Sequence, residues 1–294
     1  LKIAFSNGKV VLFGTGLWGR NLVNDFGASK WKYAIDNNPK SDNFLGIPLF
    51  KCVDFLKQYE NETIVISSRL YNKEMYKQLV DNNVPVEKII NVGAMDDVLV
   101  KNQYFDLPQL KPKKSFEVFV DGGCFDGMSS VYFSEWCNKS NYKIYAFEPD
   151  NHNSEKVRLN FEKYHISNEI ISKGIWNEPK QLHFSNTGDG ESSITDSGET
   201  IIDVDCIDNI NYDSPVTFIK MDIEGAELNA LKGAEKTIKR DKPRLAISIY
   251  HKPEDIIEIP KLLLDYNNEY KSYLRHYSLS WFDTVLYAIP KAGC

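Results

Sequence analysis

The residues of this chain best suited to chemistry stand at the ends of apolar runs. Asp121, Gly122 and Gly123 end the run that begins Glu117-Val118-Phe119-Val120, and another glycine follows at Gly127. Glu148 closes the run Lys143 to Phe147 and lies 27 residues beyond Asp121. Asp222 and Glu224 follow the run Val216 to Met221, and His251 follows Arg244 to Tyr250. Glycines at such a turn permit a tight reversal and let backbone N–H groups approach a ligand, because no side chain fills the space. The position of Glu148 suits a carboxylate that accepts hydrogen bonds from both hydroxyls of a ribose. An acid that opens a glycine loop repels a diphosphate and favours a ligand carrying a cationic group. S-adenosyl-L-methionine has the amino group, the ribose and no phosphate. The expected cofactor-binding residues are therefore Asp121, Gly122, Gly123, Gly127, Ser129 at the start of the next helix, Glu148 and Asp222.

Methyl transfer from a sulfonium needs an aligned acceptor oxygen and a place for one proton. A histidine, with an ordinary pKa of about 6.5, takes a hydroxyl proton at neutral pH, whereas a carboxylate needs burial to become as basic. His251 is thus expected as general base, with Asp222 or Glu224 fixing its geometry or that of the substrate. Two simpler readings stand beside this one. Asp222 also suits a cap for a helix from Ala226, and His251 suits a turn residue before Lys252-Pro253. His276 and Tyr277 either reach the pocket or pack. Trp176 and Trp281 read first as core, although aromatic faces suit sugar rings. Asp189 to Ser193 reads as a loop over the site with no assignable role.

These residues need elements that place them together. From residue 9 short β-type runs alternate with helical ones. The expected order is strand Lys9 to Phe13, helix Trp18 to Phe26, strand Trp31 to Ile35, helix Val53 to Tyr59, strand Thr63 to Ser67, helix Lys73 to Asn82 and strand Lys88 to Val92. "YFDLPQLKPKKS", with two prolines and a basic run, has no sustained periodicity and reads as linker. The predicted divisions are a small Rossmann-like βαβ domain over 1–100, a linker over 101–114 and a second domain over 115–294.

The second series begins with strand Glu117 to Asp121, a helix near Ser129 to Asn138, strand Lys143 to Phe147, helix Ser154 to Tyr164 and strand Glu169 to Ile175. Two β segments follow, Gln181 to Ser185 and Thr200 to Ile207. Strand Val216 to Met221, helix Ala226 to Lys239, strand Arg244 to Tyr250 and helix Glu254 to Asn267 come next. Lys271 to Tyr277 and Thr284 to Ile289 close the chain as consecutive strands. The predicted class is α/β: a class I methyltransferase-type, Rossmann-like sheet, mostly parallel, with a terminal antiparallel hairpin strand.

Composition narrows the function classes. The chain has 294 residues, 42% hydrophobic and 26% charged, which is globular rather than disordered. A net charge of -6 gives no field to gather phosphate backbones. Lys111-Pro112-Lys113-Lys114 reads as solvated linker, and no nucleic-acid partner is expected. No NPPY-like turn suggests methylation of a DNA amine. No apolar run approaches the roughly 18 residues of a membrane span, so a cytoplasmic location is expected. Cys52, Cys124, Cys137, Cys206 and Cys294 include no CxxC pair and read as reduced thiols. The five histidines form no metal-ligand spacing, and no metal is expected. A chain opening on Leu1 reads as trimmed or as a fragment.

"VFVDGGCFDGMSS", "YAFEPD", "FIKMDIEGAELNALKGA" and "LAISIYHKPEDIIEIPKLL" closely resemble the FkbM family of S-adenosylmethionine-dependent methyltransferases. The similarity covers about residues 115 to 290, and "KMDIEGAE" is its most specific block. The resemblance implies an O-methyltransferase acting on a hydroxyl of a sugar, glycolipid or polyketide-like product. The implied partner is a small-molecule or glycan acceptor, and a homo-oligomer is left open. Cys124 and Phe125 depart from the family pattern, where many members carry a small residue and Asn before the last glycine.

A second possible nucleotide site lies in the amino-terminal module. Gly14, Gly16 and Gly19 form GxGxxG after a strand, and Asp36 ends the next strand. "AIDNNP" and "LGIPLF" resemble the small Rossmann-like domain that precedes sugar-modifying enzymes. About 95 residues leave no room for the second half that a dehydrogenase requires. The module is read as binding a nucleotide or sugar nucleotide, or as structural or docking. The competing whole-chain reading is a nucleotide-sugar-binding or scaffold protein in glycan assembly with an inactive methyltransferase half.

Overall fold

A computed structural model describes residues 2–6, 10–112, 115–138, 141–185, 193–194, 200–278 and 282–291. The chain divides into two compact units, Leu1–Lys101 and Asn102–Cys294. Trp281, most of the Asp189 to Ser193 loop, the pair Lys113-Lys114 and Cys294 lie outside the described residues.

The first unit begins with α1 (Lys2–Ser6), β1 (Val10–Phe13), α2 (Leu17–Phe26) and β2 (Tyr33–Asp36). It continues with β3 (Asn43–Phe44), β4 (Ile47–Lys51), α3 (Cys52–Leu56), β5 (Thr63–Ile66), α4 (Asn72–Asp81), β6 (Ile89–Asn91) and α5 (Val92–Asn102). The sheet runs β3-β4-β2-β1-β5-β6 and is parallel apart from the β3–β4 hairpin. β1 is buried along its whole length, as a central parallel strand covered on both faces must be. The hairpin was not expected from periodicity, because its strands are short and its signal is a turn. Leu45 and Gly46 both have positive φ, +51° and +86°, as a two-residue hairpin turn of the primed type requires.

The second unit opens with β7 (Glu117–Gly122), α6 (Met128–Trp136), β8 (Tyr142–Phe147), α7 (Asn151–Tyr164) and β9 (Asn168–Ile171). A β extension follows: β10 (Gly174–Ile175), β11 (Lys180–Ser185), β12 (Ser193–Ile194) and β13 (Thr200–Asp205). The chain then returns with β14 (Phe218–Met221), α8 (Glu227–Lys232), α9 (Glu235–Asp241) and β15 (Arg244–Ser248). It ends with α10 (Asp255–Tyr266), β16 (Tyr270–His276) and β17 (Thr284–Pro290). The main sheet has the order β16-β17-β15-β14-β7-β8-β9, with β17 antiparallel to β15 and β16. This is the class I methyltransferase order, with β7 at the point where strand order reverses.

Register decides which side chains meet. β14 pairs with β7 so that Met221 lies opposite Gly122, and β7 pairs with β8 so that Gly122 lies opposite Phe147. Asp222, Gly123 and Glu148, each one residue further, therefore emerge together at the carboxyl end of the sheet. Met221 also pairs with Ile247, which sets the residues after β15 beside them.

Three expected elements differ in the structure. Strand Glu169 to Ile175 divides into β9 and β10, because the chain leaves the main sheet to join β13. The single helix Ala226 to Lys239 is two, α8 and α9, separated at Gly233. A Cβ at Gly233 would lie 2.1 Å from the Trp176 carbonyl oxygen, so close packing of that turn needs glycine. The segment 101–114, expected as linker, lies almost wholly within the second unit, and there Tyr104, Phe105, Leu107 and Leu110 are buried. Its prolines hid four core side chains at spacings that match neither regular period.

Candidate active site

The loop after β7 is built around a buried ion pair. Asp121 is 0% exposed; its Oδ2 accepts hydrogen bonds from the Ser129 and Ser130 hydroxyls, each at 2.6 Å, and Lys220 Nζ lies 3.2 Å from Oδ1. Lys220 Nζ also donates to the carbonyls of Gly122 at 3.1 Å and Gly123 at 2.7 Å. Burial opposes the Lys220 charge, but the Asp121 and Asp222 carboxylates outweigh it and hold the ammonium above its ordinary value. Both Asp121 oxygens thus face groups of the chain itself. Asp121 has no free surface and fixes the loop through Ser129, Ser130 and Lys220.

The glycines act likewise. At Gly123, with φ +69°, a Cβ would lie 2.0 Å from the Asp222 carbonyl oxygen, and at Gly127, with φ +80°, it would lie 2.8 Å from the Phe161 ring. The N–H groups of Gly123 and Cys124 both donate to the Phe147 carbonyl at 3.2 Å. These residues let β7 and β14 close up at their ends and seat α7 against the loop. Close approach here is first of chain to chain.

Glu148 is only 5% exposed. Its Oε2 accepts from Phe125 N–H at 2.9 Å and its Oε1 from Asp150 N–H at 3.0 Å. Burial pushes its carboxyl up to about 7, against the opposing effect of those two N–H bonds. The Asn153 side chain also bonds this carboxylate, and a carboxylate so placed can accept from ribose hydroxyls. A buried acid held near neutrality fits a ribose-bearing cofactor. Asp150, next to it, caps α7 by accepting from Asn153 N–H at 2.8 Å.

On the other side of β7, Asp222, Glu224 and His251 come together. His251 Nε2 lies 3.6 Å from Asp222 Oδ1 and 3.3 Å from Glu224 Oε2, and its Nδ1 lies 3.0 Å from Glu227 Oε1. Burial works against the imidazolium, but Glu224, Glu227 and Asp222 together raise His251 to about 10. The three carboxylates around it favour the imidazolium over the neutral ring that a general base requires. Burial raises the Glu224 carboxyl above its ordinary value despite His251, whereas at Asp222 Lys220 and His251 overcome burial and lower it. Glu224 is the more basic of the two carboxylates.

Asp222 is not a helix cap: α8 begins at Glu227 after Ala226 with no side-chain cap bond. Both of its oxygens are engaged, Oδ2 by the Tyr104 hydroxyl at 2.8 Å and Oδ1 by the Tyr250 hydroxyl at 3.0 Å. Tyr104, Lys220, Tyr250 and Glu227 were not singled out from sequence. Lys220 had a signal, a lone charge inside the apolar run "FIKMD"; Tyr104 had none, since it lay in apparent linker. Tyr277 is buried and bonds Asp106 and Tyr287, so it belongs to the packing of the hairpin, while His276 is exposed and meets Thr284 Oγ1 at 2.9 Å across the strands. Trp176 packs against the Ile202 and Val204 cluster of the β extension.

In the first unit Gly14 follows β1, Gly16 precedes α2, Gly19 lies in its first turn, and Asp36 ends β2. A Cβ at Gly19 would be 2.1 Å from the Gly14 carbonyl oxygen, whereas at Gly16 it would meet nothing within 4 Å. Asp36 Oδ2 accepts from Thr15 N–H at 2.9 Å and from its hydroxyl at 2.7 Å. The acid is thus used by the glycine loop itself.

The sequence model for the Methyltransferase FkbM domain matches residues 121–270, half of the chain. No curated protein matches. Among solved structures the chain is similar to Methyltransferase FkbM from Methylobacillus flagellatus KT, at 20% identity over 98% of this chain and 92% of that one, with a TM-score of 0.59. It also matches Aeropyrum pernix fibrillarin in complex with S-adenosyl-L-methionine, at 12% identity, 67% and 73% coverage and a TM-score of 0.40. A third match is precorrin-6y C5,15-methyltransferase from Geobacter metallireducens GS-15, at 10% identity, 69% and 89% coverage and a TM-score of 0.39. At such identities the first likeness shows shared fold, and the other two add nothing to it.

Proposed function

The chain belongs to the Methyltransferase FkbM family, whose methyl donor is S-adenosyl-L-methionine, and from that premise we propose that it O-methylates a hydroxyl of a sugar or glycan. The carrying observation is the make-up of the wall beyond the loop: Asp222, Glu224, His251, Tyr104 and Tyr250 offer carboxylates, phenols and an imidazolium within one network. Such a wall forms hydrogen bonds with a polyol and has little to offer an apolar acceptor.

The cofactor supplies an electrophilic methyl group; this chain's residues supply position and charge. Glu148 takes the ribose hydroxyls, while the Asp121–Lys220 pair holds the loop that carries Gly122, Gly123 and Gly127. Ser129 acts through Asp121 rather than on the cofactor. The acceptor hydroxyl lies against Glu224, which takes its proton, and Asp222 stays ionised to orient the hydroxyl beside it. His251 holds the carboxylates together as their shared cation.

Incubation of the full chain with labelled cofactor and a panel of free, lipid-linked and nucleotide-linked saccharides tests this reading by mass spectrometry. Transfer of one methyl group to a hydroxyl is expected. Stoichiometric cofactor binding without methylation of any saccharide would favour the scaffold reading, and methylation of nitrogen or carbon would overturn the acceptor class.

A further inference from the structure

We propose that Asp222, Glu224 and His251 form a binding site for a divalent transition-metal cation on the acceptor side of the crevice. One ligand atom from each residue lies within 4.8 Å of the others. The two separations from His251 Nε2, 3.6 Å to Asp222 Oδ1 and 3.3 Å to Glu224 Oε2, are close to a ligand spacing. Ligands about 2.1 Å from a tetrahedral ion stand about 3.4 Å apart.

The histidine is what separates this group from an ordinary acidic surface. Its side chain is 8% exposed, and neither ring nitrogen makes an in-line hydrogen bond, although carboxylates surround both. Nε2 lies beside the Asp222 and Glu224 oxygens. Nδ1 lies 3.0 Å from Oε1 of Glu227, which is fully buried and anchored by accepting the Ile223 N–H at 2.8 Å. A carboxylate behind a histidine, with the other nitrogen facing the ion, is the usual support for a metal ligand. Asp222 is supported in the same way by Tyr104 and Tyr250.

Charge points the same way. Lys220 is committed to Asp121 and to the Gly122 and Gly123 carbonyls, and Lys252 Nζ donates to the Gly225 carbonyl at 2.5 Å. His251 is the cation in contact with Asp222, Glu224 and Glu227, with Lys220 acting on Asp222 through space, and a dication adds the charge that three carboxylates favour. Asp222 and Glu224 side chains are 22% and 30% exposed, so the group opens on one side. Three protein ligands with an open position is the pattern of a catalytic site, and mixed imidazole and carboxylate ligands suit manganese or zinc better than calcium.

This inference rests on the O-methylation reading for its purpose. A cation held there would polarise an acceptor hydroxyl at its open position, and Glu224 would take the hydroxyl proton as the new C–O bond formed and the S–CH3 bond broke, leaving the cofactor as a neutral thioether.

The test uses the full chain, stripped with chelator and titrated with Mn2+ while the free-ion electron paramagnetic resonance signal is followed, with Zn2+ as competitor. One Mn2+ bound per chain is expected, displaced by Zn2+. Glu224→Gln and His251→Gln should each weaken binding by tenfold or more, and Glu227→Gln by about tenfold. Cofactor affinity of each variant, measured by calorimetry, shows that it is folded. Intact cofactor binding with no Mn2+ or Zn2+ bound, or metal binding untouched by Glu224→Gln and His251→Gln, overturns the site. Metal bound as expected with no saccharide methylated leaves the site standing and removes only the acceptor reading.

Discussion

At the scale of single residues, the carboxyl of Glu148 sets a measurable pH dependence. Burial lifts it from an ordinary 4.5 to about 7, so near neutrality it is only partly ionised before a ligand arrives. Ribose hydroxyls donate best to the carboxylate, so cofactor binding draws the proton off. Affinity for S-adenosyl-L-methionine should therefore fall as pH drops from about 8 to 6, and Glu148→Gln should cost roughly 1.5 to 3 kcal/mol of binding at pH 8 and flatten the profile. Stability moves oppositely. A carboxyl raised in the folded state contributes stability below its unfolded value, and that contribution is lost as pH rises through about 7. Ligand-free Glu148→Gln should then unfold at higher temperature than its parent at pH 8 and show little gain at pH 5. Calorimetric titrations and melts across this range decide it; a flat parent profile would remove Glu148 from the ribose. The position of this acid was legible because two neighbouring strand ends fix it. The surroundings of His251 were not, because they include Glu227, which the first turn of α8 brings within 3.0 Å of Nδ1.

At the scale of elements, the alternation of runs was enough for a mostly parallel sheet closed by an antiparallel hairpin strand, since parallel strands joined by helices leave few topologies open. It missed features set by close approach. The break between α8 and α9 at Gly233 depends on the Trp176 carbonyl, more than fifty positions away in sequence, and no helical period carries that information. The glycines after β7 were read as room for a ligand, yet at Gly123 the nearest obstacle to a side chain is the Asp222 backbone. Gly123→Ala therefore tests the element rather than the cofactor. An added Cβ 2.0 Å from a carbonyl oxygen, at φ +69°, should force the ends of β7 and β14 apart and destabilise the fold by more than about 1 kcal/mol. Denaturant melts of the ligand-free chain should register the loss. A variant as stable as its parent, but weaker for cofactor, would return Gly123 to the ligand.

At the scale of the whole molecule, the two units meet in sequence at Lys101 and Asn102, while the composition of 101–114 suggested a longer connection. Segment 102–112 belongs to the second unit by its packing. Tyr104, Phe105, Leu107 and Leu110 are buried, Tyr104 N–H donates to the Tyr287 hydroxyl at 3.0 Å, and its own hydroxyl reaches Asp222. Arg244, ion-paired with Glu117 in the interior, also donates to the Lys111 carbonyl at 2.5 Å. Each of the four side chains contributes roughly 1.5 to 3 kcal/mol when buried, and their sum is comparable to the roughly 5 to 15 kcal/mol that holds a domain folded. A chain spanning 102–294 should therefore melt cooperatively and bind S-adenosyl-L-methionine within about threefold of the full chain, because every group around Glu148 and Asp222 is retained. One spanning 115–294 should lose cooperative unfolding and cofactor binding together, although it keeps every residue of the Methyltransferase FkbM match. Thermal melts and calorimetry on the pair separate the outcomes. Equal behaviour of the two would mean that the segment only covers the core, and loss of binding by both would mean that the first unit is needed to complete the cofactor site.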